Sequence, residues 1–236
     1  MVLALVDDRN KLIMDWSAKA GCTIATKMFF RHMGLLEEAQ AYDEWIHNYR
    51  EQVFYRTHQT TLTKLQDPRY FKFKVVRNPF ARATSSYIYA MYNEFFVDLR
   101  TGKLADMSFR EFIDMLGRID VRRCNMHLAQ QKKDYEYQLP GVFNVICRLE
   151  DIAHGLAQVN AATGLNLNVD GLWSEHHTRR TRESGVCVAD EPWSKLIDRV
   201  PDYRYFYTED LAEKIRTIYA DDCSTYGYEW MTPEHS

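Results

Sequence analysis

Short apolar runs and amphipathic stretches follow one another along this chain, and their order predicts alternating strands and helices. The apolar runs Leu12–Trp16, Tyr70–Val76 and Val142–Cys147 have the length and composition of buried strands. This alternation predicts an α/β fold of three layers, in which a central, mainly parallel sheet is flanked by helices. In such a fold, ligands bind outside the carboxyl ends of the strands.

The predicted helices are marked by the spacing of their apolar residues and by signals at their ends. Ser108–Glu111 is a capping box that begins one helix, and Gly34 and Gly164 have the positions of C-caps. A further short strand is predicted at Val53–Thr57, where residues alternate up to His58. The predicted helices are Cys22–His32, Glu37–Glu51, Phe80–Leu99, Ser108–Gly117, one that ends at Gly164, and Thr208–Gly227.

Composition limits the class of protein. The chain has 236 residues, of which 46% are hydrophobic, so a single domain over residues 1–236 is expected. The formal net charge of −3 argues against broad binding to nucleic acid. Five scattered cysteines without a Cys-x-x-Cys pair indicate neither a disulfide framework nor a zinc site. The apolar run Met1–Val6 is too short for a signal peptide or a membrane segment, so a cytoplasmic protein is expected.

Two segments, roughly sixty positions apart, have the chemistry of phosphate binding. Trp16–Thr23 and Arg77–Tyr87 each follow a predicted strand and open a helix-like stretch. A strand that leads through a turn into a helix aims backbone N–H groups and the helix dipole at one spot, which favours phosphate or sulfate. In the second segment, the side chains of Arg77, Arg82 and Ser85 are suited to bind a further phosphate. Two anion sites predict a ligand with two anionic ends.

These two segments resemble the motifs of sulfotransferases that use 3′-phosphoadenosine 5′-phosphosulfate (PAPS). Lys-x-Gly-Cys-Thr at residues 19–23 is similar to the family's first motif, which binds the 5′-phosphosulfate. Arg-x-Pro-x-x-Arg-x-x-Ser-x-Tyr at residues 77–87 matches the second motif, which binds the 3′-phosphate. The resemblance implies a P-loop-like fold with PAPS as co-substrate. It assigns PAPS binding to Lys19, Ala20, Gly21, Cys22, Thr23, Arg77 and Ser85.

The first motif departs from the family pattern at two places. Ser17-Ala18 stands where the family usually has a proline before the lysine, and Ile24 stands where cytosolic members have a tryptophan that stacks on adenine. Adenine stacking must therefore come from another residue. The competing interpretation is a P-loop that binds ATP or GTP, but its lysine follows the second glycine, whereas Lys19 precedes the loop's single glycine.

Short patterns elsewhere are similar to the carbohydrate sulfotransferases of the chondroitin, dermatan and HNK-1 type. They are Cys147–Asp151, His127–Gln131 and the C-terminal pattern Tyr207–Tyr228. Together with the two motifs, the resemblance covers most of the chain. It implies that the hydroxyl-bearing acceptor is a carbohydrate. It also implies an alternative location. In this alternative the chain is a Golgi-lumenal catalytic domain whose anchor has been trimmed.

Sulfonate transfer needs a cation at the leaving phosphate and a base that takes the acceptor's proton, and it requires no metal. Lys19 is the predicted cation, or else a solvated loop lysine. His58 is the predicted general base, because Arg56-Thr57-His58 resembles the Lys-Thr-His of cytosolic sulfotransferases. Arg56 then takes the role of that family's lysine, which touches the sulfonate. The alternative for His58 is a histidine that caps a loop.

Further candidates lie in the second half of the chain. His127 is the second candidate for the base, with a packed polar residue as the alternative, and it is predicted, like His176, to bind the acceptor. Arg179 and Arg180 belong to a His- and Arg-rich segment, Trp173–Pro192, that has little regular patterning. These arginines are predicted to bind the donor, and an exposed charged loop is the alternative.

The sequence thus predicts a PAPS-dependent sulfotransferase that acts on a carbohydrate. One alternative keeps the donor and changes the acceptor to a small-molecule alcohol, a phenol or a lipid. Another is a nucleotide-binding protein without transfer activity. A glycan acceptor predicts an open, basic cleft beside the donor, whereas a small hydrophobic acceptor predicts a closed apolar pocket.

Overall fold

The computed structural model describes residues 2–93, 106–173 and 186–229. The chain divides into two compact units. The first unit comprises Met1–Arg77 and Lys133–Trp173, and the second comprises Asn78–Lys132 and Ser174–Ser236. Each unit is described separately below, and the single domain over residues 1–236 stays a prediction. Within the described ranges, no helix is both long and apolar enough to span a membrane.

The first unit is built on a four-stranded sheet whose strands follow one another in chain order. β1 is antiparallel to β2, whereas β2, β3 and β4 are parallel to one another. The strands are β1 (Leu5–Asp7), β2 (Leu12–Trp16), β3 (Phe71–Val76) and β4 (Val145–Arg148). This confirms the predicted α/β fold with a mainly parallel central sheet, and it confirms the three predicted strands with small shifts at their ends.

Helices cover both faces of this sheet, which gives the first unit its three layers. They are α1 (Cys22–Met33), α2 (Leu36–Tyr42), α3 (Ile46–Tyr49), a π-helical turn (Arg50–Phe54), α4 (Tyr55–Thr57), α5 (Leu62–Gln66), α8 (Asp134–Gln138), a 3-10 turn (Leu149–Asp151) and α9 (Ile152–Thr163). Because successive strand residues point to opposite faces, Met14 packs with α1 and α9, whereas Ile13 packs with α5 and α8. Gly34 and Gly164 are the C-caps predicted for α1 and α9.

The second unit is helical in its described residues. Its elements are α6 (Pro79–Tyr92), α7 (Phe109–Leu116), α10 (Trp193–Leu196), a 3-10 turn (Tyr203–Phe206), α11 (Glu209–Ile218) and α12 (Ala220–Tyr226). Asn78 begins α6 by accepting a hydrogen bond from the Phe80 backbone N–H at 2.9 Å, and Ser108 begins α7 through the predicted capping box. Tyr87 lies at the centre of the apolar core, against Phe109 and Trp193.

The predicted strand at Val53–Thr57 is wrong, because these residues continue a helical segment. A strand would alternate buried and exposed positions, but the neighbours Phe54 and Tyr55 are both buried. Phe54 packs against Phe30 of α1, with ring centroids 5.1 Å apart. This packing within the core holds the segment in a helical conformation.

Two predicted helices are interrupted, and a third is described only in part. The helix predicted at Glu37–Glu51 breaks at Asp43, whose carboxylate accepts from the Trp45 N–H at 2.7 Å. Asn125 likewise accepts from the His127 N–H at 3.0 Å, and His127 lies in a turn. The C-terminal helix is split at Tyr219 into α11 and α12. The helix predicted to reach Leu99 is described only as far as residue 93, and α6 ends at Tyr92.

Candidate functional site

The Ser17–Gly21 loop joins the carboxyl end of β2 to the beginning of α1. Two of its residues have left-handed backbone conformations, Lys19 with φ 64° and Gly21 with φ 76°. For lysine this conformation costs about 1–2 kcal/mol, and such strain is typical of binding loops. Gly21 is the N-cap of α1 and offers no capping side chain, and the first turn of α1 contains no acidic residue. The positive end of the helix dipole is therefore not neutralised by the helix's own side chains.

Gly21 also lies very close to a neighbouring side chain. A Cβ atom at this position would lie 2.6 Å from Cδ1 of Leu149, which is closer than real Cβ contacts. Leu149 directly follows β4, so the loop rests on the carboxyl end of a second strand. Glycine suits this position because it adopts the positive φ without strain and requires no movement of Leu149.

Arg77 reaches the same loop from the end of β3. Its Nη1 donates a hydrogen bond to the backbone carbonyl of Lys19 at 3.1 Å. β2 and β3 are parallel, and Trp16 pairs with Val75, so the residues that follow both strands meet at one edge of the sheet. The structure therefore brings together Lys19 and Arg77, one residue from each sequence motif.

Ser85 lies on α6 in the second unit and is half-buried. Two neighbours on this helix are fixed by the unit's own backbone. The guanidinium of Arg82 donates to the carbonyl of Ala129, and the hydroxyl of Tyr87 donates to the carbonyl of Met107 at 2.7 Å. Both side chains therefore brace the helix against the rest of the unit. The role of Ser85 in phosphate binding stays a prediction.

A buried group of charges lies in the sheet just before the Ser17–Gly21 loop. Asp15 of β2 and its register partner Lys74 of β3 are both fully buried and form an ion pair at 3.1 Å. Lys133 also pairs with Asp15, and Glu136 also pairs with Lys74. Burial acts to raise the pKa of Asp15, but the charges of Lys133 and Lys74 outweigh it and hold that pKa below its usual value. Two cations and two carboxylates thus balance one another inside the sheet.

His47 lies beside the first turn of α1, and the sequence analysis did not identify it as a candidate. Its Nε2 is 3.0 Å from the hydroxyl of Thr23 and 3.8 Å from the thiol of Cys22. The imidazole is buried and packs against the ring of Trp16. No motif marks His47, because it lies in the short helix α3, which the sequence pattern merged with α2 into one helix. The structure thus places an imidazole next to two of the predicted donor-binding residues.

An exposed tryptophan adjoins His47. Trp45 is 53% exposed, and its ring meets the imidazole edge-on, with centroids 4.8 Å apart. A tryptophan ring has a large apolar face on which a flat aromatic ligand can stack. Trp45 therefore offers an aromatic face close to the first turn of α1.

His58 lies at the other end of β2. It stacks on Phe54 at 4.4 Å and helps to line a cavity of about 300 Å³. The lining residues are Asp7, Asp8, Arg9, Asn10, His32, Met33, Thr57 and His58. His32 is in the last turn of α1, and the 12 residues of this helix span about 18 Å. The structure therefore does not bring His58 to the Ser17–Gly21 loop.

The remaining predicted residues lie apart from this loop or outside the described ranges. Arg56 is exposed on α4. In the second unit, His127 stacks on Tyr89 with ring centroids 4.4 Å apart, and its Nδ1 is 2.9 Å from Oδ1 of Asn125. His176, Arg179 and Arg180 lie outside the described residues. No group of metal-binding side chains is present in the part of the chain that the structure describes.

The geometry of the first unit suits a ligand with a phosphate group. Backbone N–H groups and the dipole of α1 converge at a loop that contains Lys19 and is contacted by Arg77. The model of a sulfotransferase family matches residues 3–229 of the chain. No curated protein and no solved structure matches it.

Proposed function

This chain belongs to the sulfotransferase family, and we propose that it transfers a sulfonate group from PAPS to a hydroxyl group of a carbohydrate. One observation carries the proposal, the conformation of the Ser17–Gly21 loop. It joins a parallel strand to an uncapped helix N-terminus, holds Lys19 in a left-handed conformation, and is contacted by Arg77. A loop of this kind is suited to the 5′-phosphosulfate group of the donor.

In the proposed reaction, the acceptor oxygen bonds to the sulfur of PAPS as the bond between sulfur and the 5′-phosphate oxygen breaks. Adenosine 3′,5′-bisphosphate leaves with the bonding electrons, and the acceptor's proton passes to a base. Negative charge therefore builds up on the leaving phosphate, where Lys19 and the first turn of α1 stabilise it. The backbone of Ala20, Gly21, Cys22 and Thr23 holds that phosphate.

The other end of the donor is assigned to Arg77, Ser85 and Trp45. Arg77 and Ser85 bind the 3′-phosphate in this proposal, as the second sequence motif predicts. Trp45 supplies the stacking surface for adenine, a role supported by its exposed ring and by its contact with His47. Arg179 and Arg180 stay predicted donor contacts.

Two histidines compete for the role of base, and we favour His47. An imidazole accepts a proton near neutral pH, so both side chains have suitable chemistry. Position favours His47, since its Nε2 lies 3.0 Å from the hydroxyl of Thr23 in the first turn of α1. His58, the choice from sequence, lies in the cavity at the far end of α1 with His32.

The carbohydrate acceptor is supported by the short C-terminal patterns and by the stacked rings of Tyr89 and His127, which offer an aromatic face in the second unit. His127 and His176 are the proposed acceptor-binding residues. A cytoplasmic location stays a prediction from the sequence.

Calorimetric titration with adenosine 3′,5′-bisphosphate, AMP and ATP tests the donor assignment. We expect binding that requires the 3′-phosphate and is lost in Arg77→Ala. Arg69→Ala is the matched control, because Arg69 is an exposed arginine of the same unit that pairs with Asp67. Tighter binding of ATP, with no effect of the 3′-phosphate, would instead indicate an enzyme that uses nucleoside triphosphates.

A further inference from the structure

Arg50 is a buried arginine in the first unit that no sequence motif marks. Arg50 is 3% exposed, and it begins the π-helical turn Arg50–Phe54. The guanidinium carbon lies 3.9 Å from the centroid of the Trp16 ring. Trp16 is the last residue of β2 and directly precedes the Ser17–Gly21 loop. Arg50 therefore lies at the strand end from which the proposed donor-binding loop starts.

The hydrogen bonds of this guanidinium are incomplete. Nη2 donates to Oε1 of Glu51 at 2.8 Å. Within the described ranges, Nε and Nη1 are buried and have no acceptor. An arginine is always charged in a protein, and buried donors without acceptors are destabilising. Each of these donors can form a charge-assisted hydrogen bond to an oxygen atom of a sulfonate, phosphate or carboxylate.

The local backbone also points to a function. Single π-helical turns are rare and occur frequently at functional sites. Here the turn directly follows α3, which carries His47 three residues before Arg50. Side chains three positions apart lie on the same face of a helix. This face packs on Trp16 through both side chains, and His47 continues to Thr23.

We propose that Arg50 binds the sulfonate oxygens of PAPS and so positions the group that is transferred. This inference rests on the proposed function. Glu51 accepts a hydrogen bond from Nη2, which leaves the N–H groups of Nε and Nη1 as donors for a sulfonate oxygen. In this role Arg50 replaces Arg56, which was predicted from sequence but is exposed on α4. The sulfonate is present in PAPS and absent from adenosine 3′,5′-bisphosphate, so the two ligands separate this role from binding of the nucleotide.

The test compares the affinities of both ligands for the wild type, Arg50→Gln and Arg50→Lys, without an acceptor. We expect both variants to bind PAPS about tenfold more weakly or worse, as for loss of a charge-assisted pair of hydrogen bonds, and to bind the bisphosphate within about threefold of the wild type. Arg50→Lys keeps the charge and loses the planar fork, so it tests the geometry if Arg50→Gln does not fold. Arg69→Gln is the control, and it should bind both ligands as the wild type does.

Two outcomes would overturn the inference. Equal losses for both ligands would mean that Arg50 supports the fold of the loop by packing on Trp16. Unchanged affinities would mean that its free donors do not reach the sulfonate, and that they serve an anionic group of the acceptor or none. A wild type that binds neither ligand would refute the proposed function itself, which is a separate result.

Discussion

The two ends of β2 are built from the same elements but gather different charges. At the carboxyl end, α1 begins, and Lys19, Arg77 and Arg50 supply cations around the Ser17–Gly21 loop. At the amino end, α1 finishes, and the carboxylates of Asp7 and Asp8 line the cavity there together with Arg9. Each end also has a histidine, His47 at the first and His58 at the second.

This difference shows why a histidine's neighbours matter more than its sequence context. A phosphosulfate is attracted to the beginning of a helix and to cations, and it is repelled by carboxylates and by the negative end of a helix. Asp7 accepts from His32 at 3.0 Å, so the acidic end is already internally paired. The carboxyl end of β2 is therefore the better place for the donor, and the following predictions test that contrast.

The largest expected effect is the difference in turnover between two histidine variants. His47→Ala should lower turnover by about 10²–10⁴-fold, as for loss of a general base, with the affinity for adenosine 3′,5′-bisphosphate retained. His58→Ala should lower it by about tenfold at most, because its cavity lies at the other end of α1. Transfer of labelled sulfonate from PAPS to a panel of desulfated glycans measures both. The reverse order of effects would restore the sequence-based assignment of His58.

Removing one of the buried charges should destabilise the sheet, and with it both ends of β2. Lys74→Met leaves Asp15 and Glu136 without their shared cation and should cost about 3–5 kcal/mol of unfolding free energy. Lys72→Met is the matched control on β3. Its Nζ donates to the carbonyl of Asp67 at 2.9 Å, so about 1 kcal/mol is expected. Urea unfolding measures the difference, and equal losses in the two variants would show that the ion pairs add nothing specific.

The glycines at the two ends of α1 allow a direct comparison. Both have positive φ, 76° at Gly21 and 73° at Gly34, so alanine should cost about 1–2 kcal/mol of backbone strain at each. Only Gly21 also meets a neighbour, Leu149, whereas nothing lies within 4 Å of a Cβ at Gly34. We therefore expect Gly21→Ala alone to weaken donor binding, by about tenfold or more. Titration with adenosine 3′,5′-bisphosphate measures the affinity of both variants, and thermal unfolding measures their stability. A similar loss of affinity in both variants would contradict this expectation.

The smallest effect concerns pH at the acidic end. Burial acts to raise the pKa of Asp7, but hydrogen bonds from Asn10, His32 and the Arg9 N–H outweigh it and lower that pKa. The carboxylate therefore stabilises the fold above about pH 4, and this contribution is lost as the pH falls through the lower folded-state pKa. Asp7→Asn should cost about 1 kcal/mol at pH 7 and less at pH 3, measured by urea unfolding. A cost that is independent of pH would exclude this role.

Much of the first unit follows from its sequence pattern. The strand Leu12–Trp16 and the C-cap of α1 at Gly34 were predicted, because local apolar periodicity and the glycine cap agree with the tertiary structure there. Val53–Thr57 was predicted wrongly as a strand, since alternation over five residues cannot reveal that Phe54 and Tyr55 pack into the same core. The break at Asp43 depends on side-chain hydrogen bonds to Trp45 and Asn48, which leave no periodic signal.

The candidate site was predictable where a motif is contiguous. Lys19, Gly21 and Arg77 were found because they belong to contiguous motifs that follow predicted strands, and parallel strands bring such segments to one edge. His47 and Arg50 were not found, because they reach the loop only through the packing of α3 and the π-helical turn on Trp16. Their one sequence signal is the three-residue spacing of two basic side chains, which is common on helix surfaces.

The tight packing of α9 on β4 makes the reactivity of one buried thiol a measure of local opening. Gly155 approaches so closely that a Cβ there would lie 2.9 Å from Sγ of Cys147, and burial raises the pKa of that thiol to about 12. The other four cysteines are half-buried. A reagent that needs a thiolate can therefore modify Cys147 only after α9 lifts from the strand. The rate at which Cys147 is modified in the native protein therefore measures how often α9 separates from the sheet.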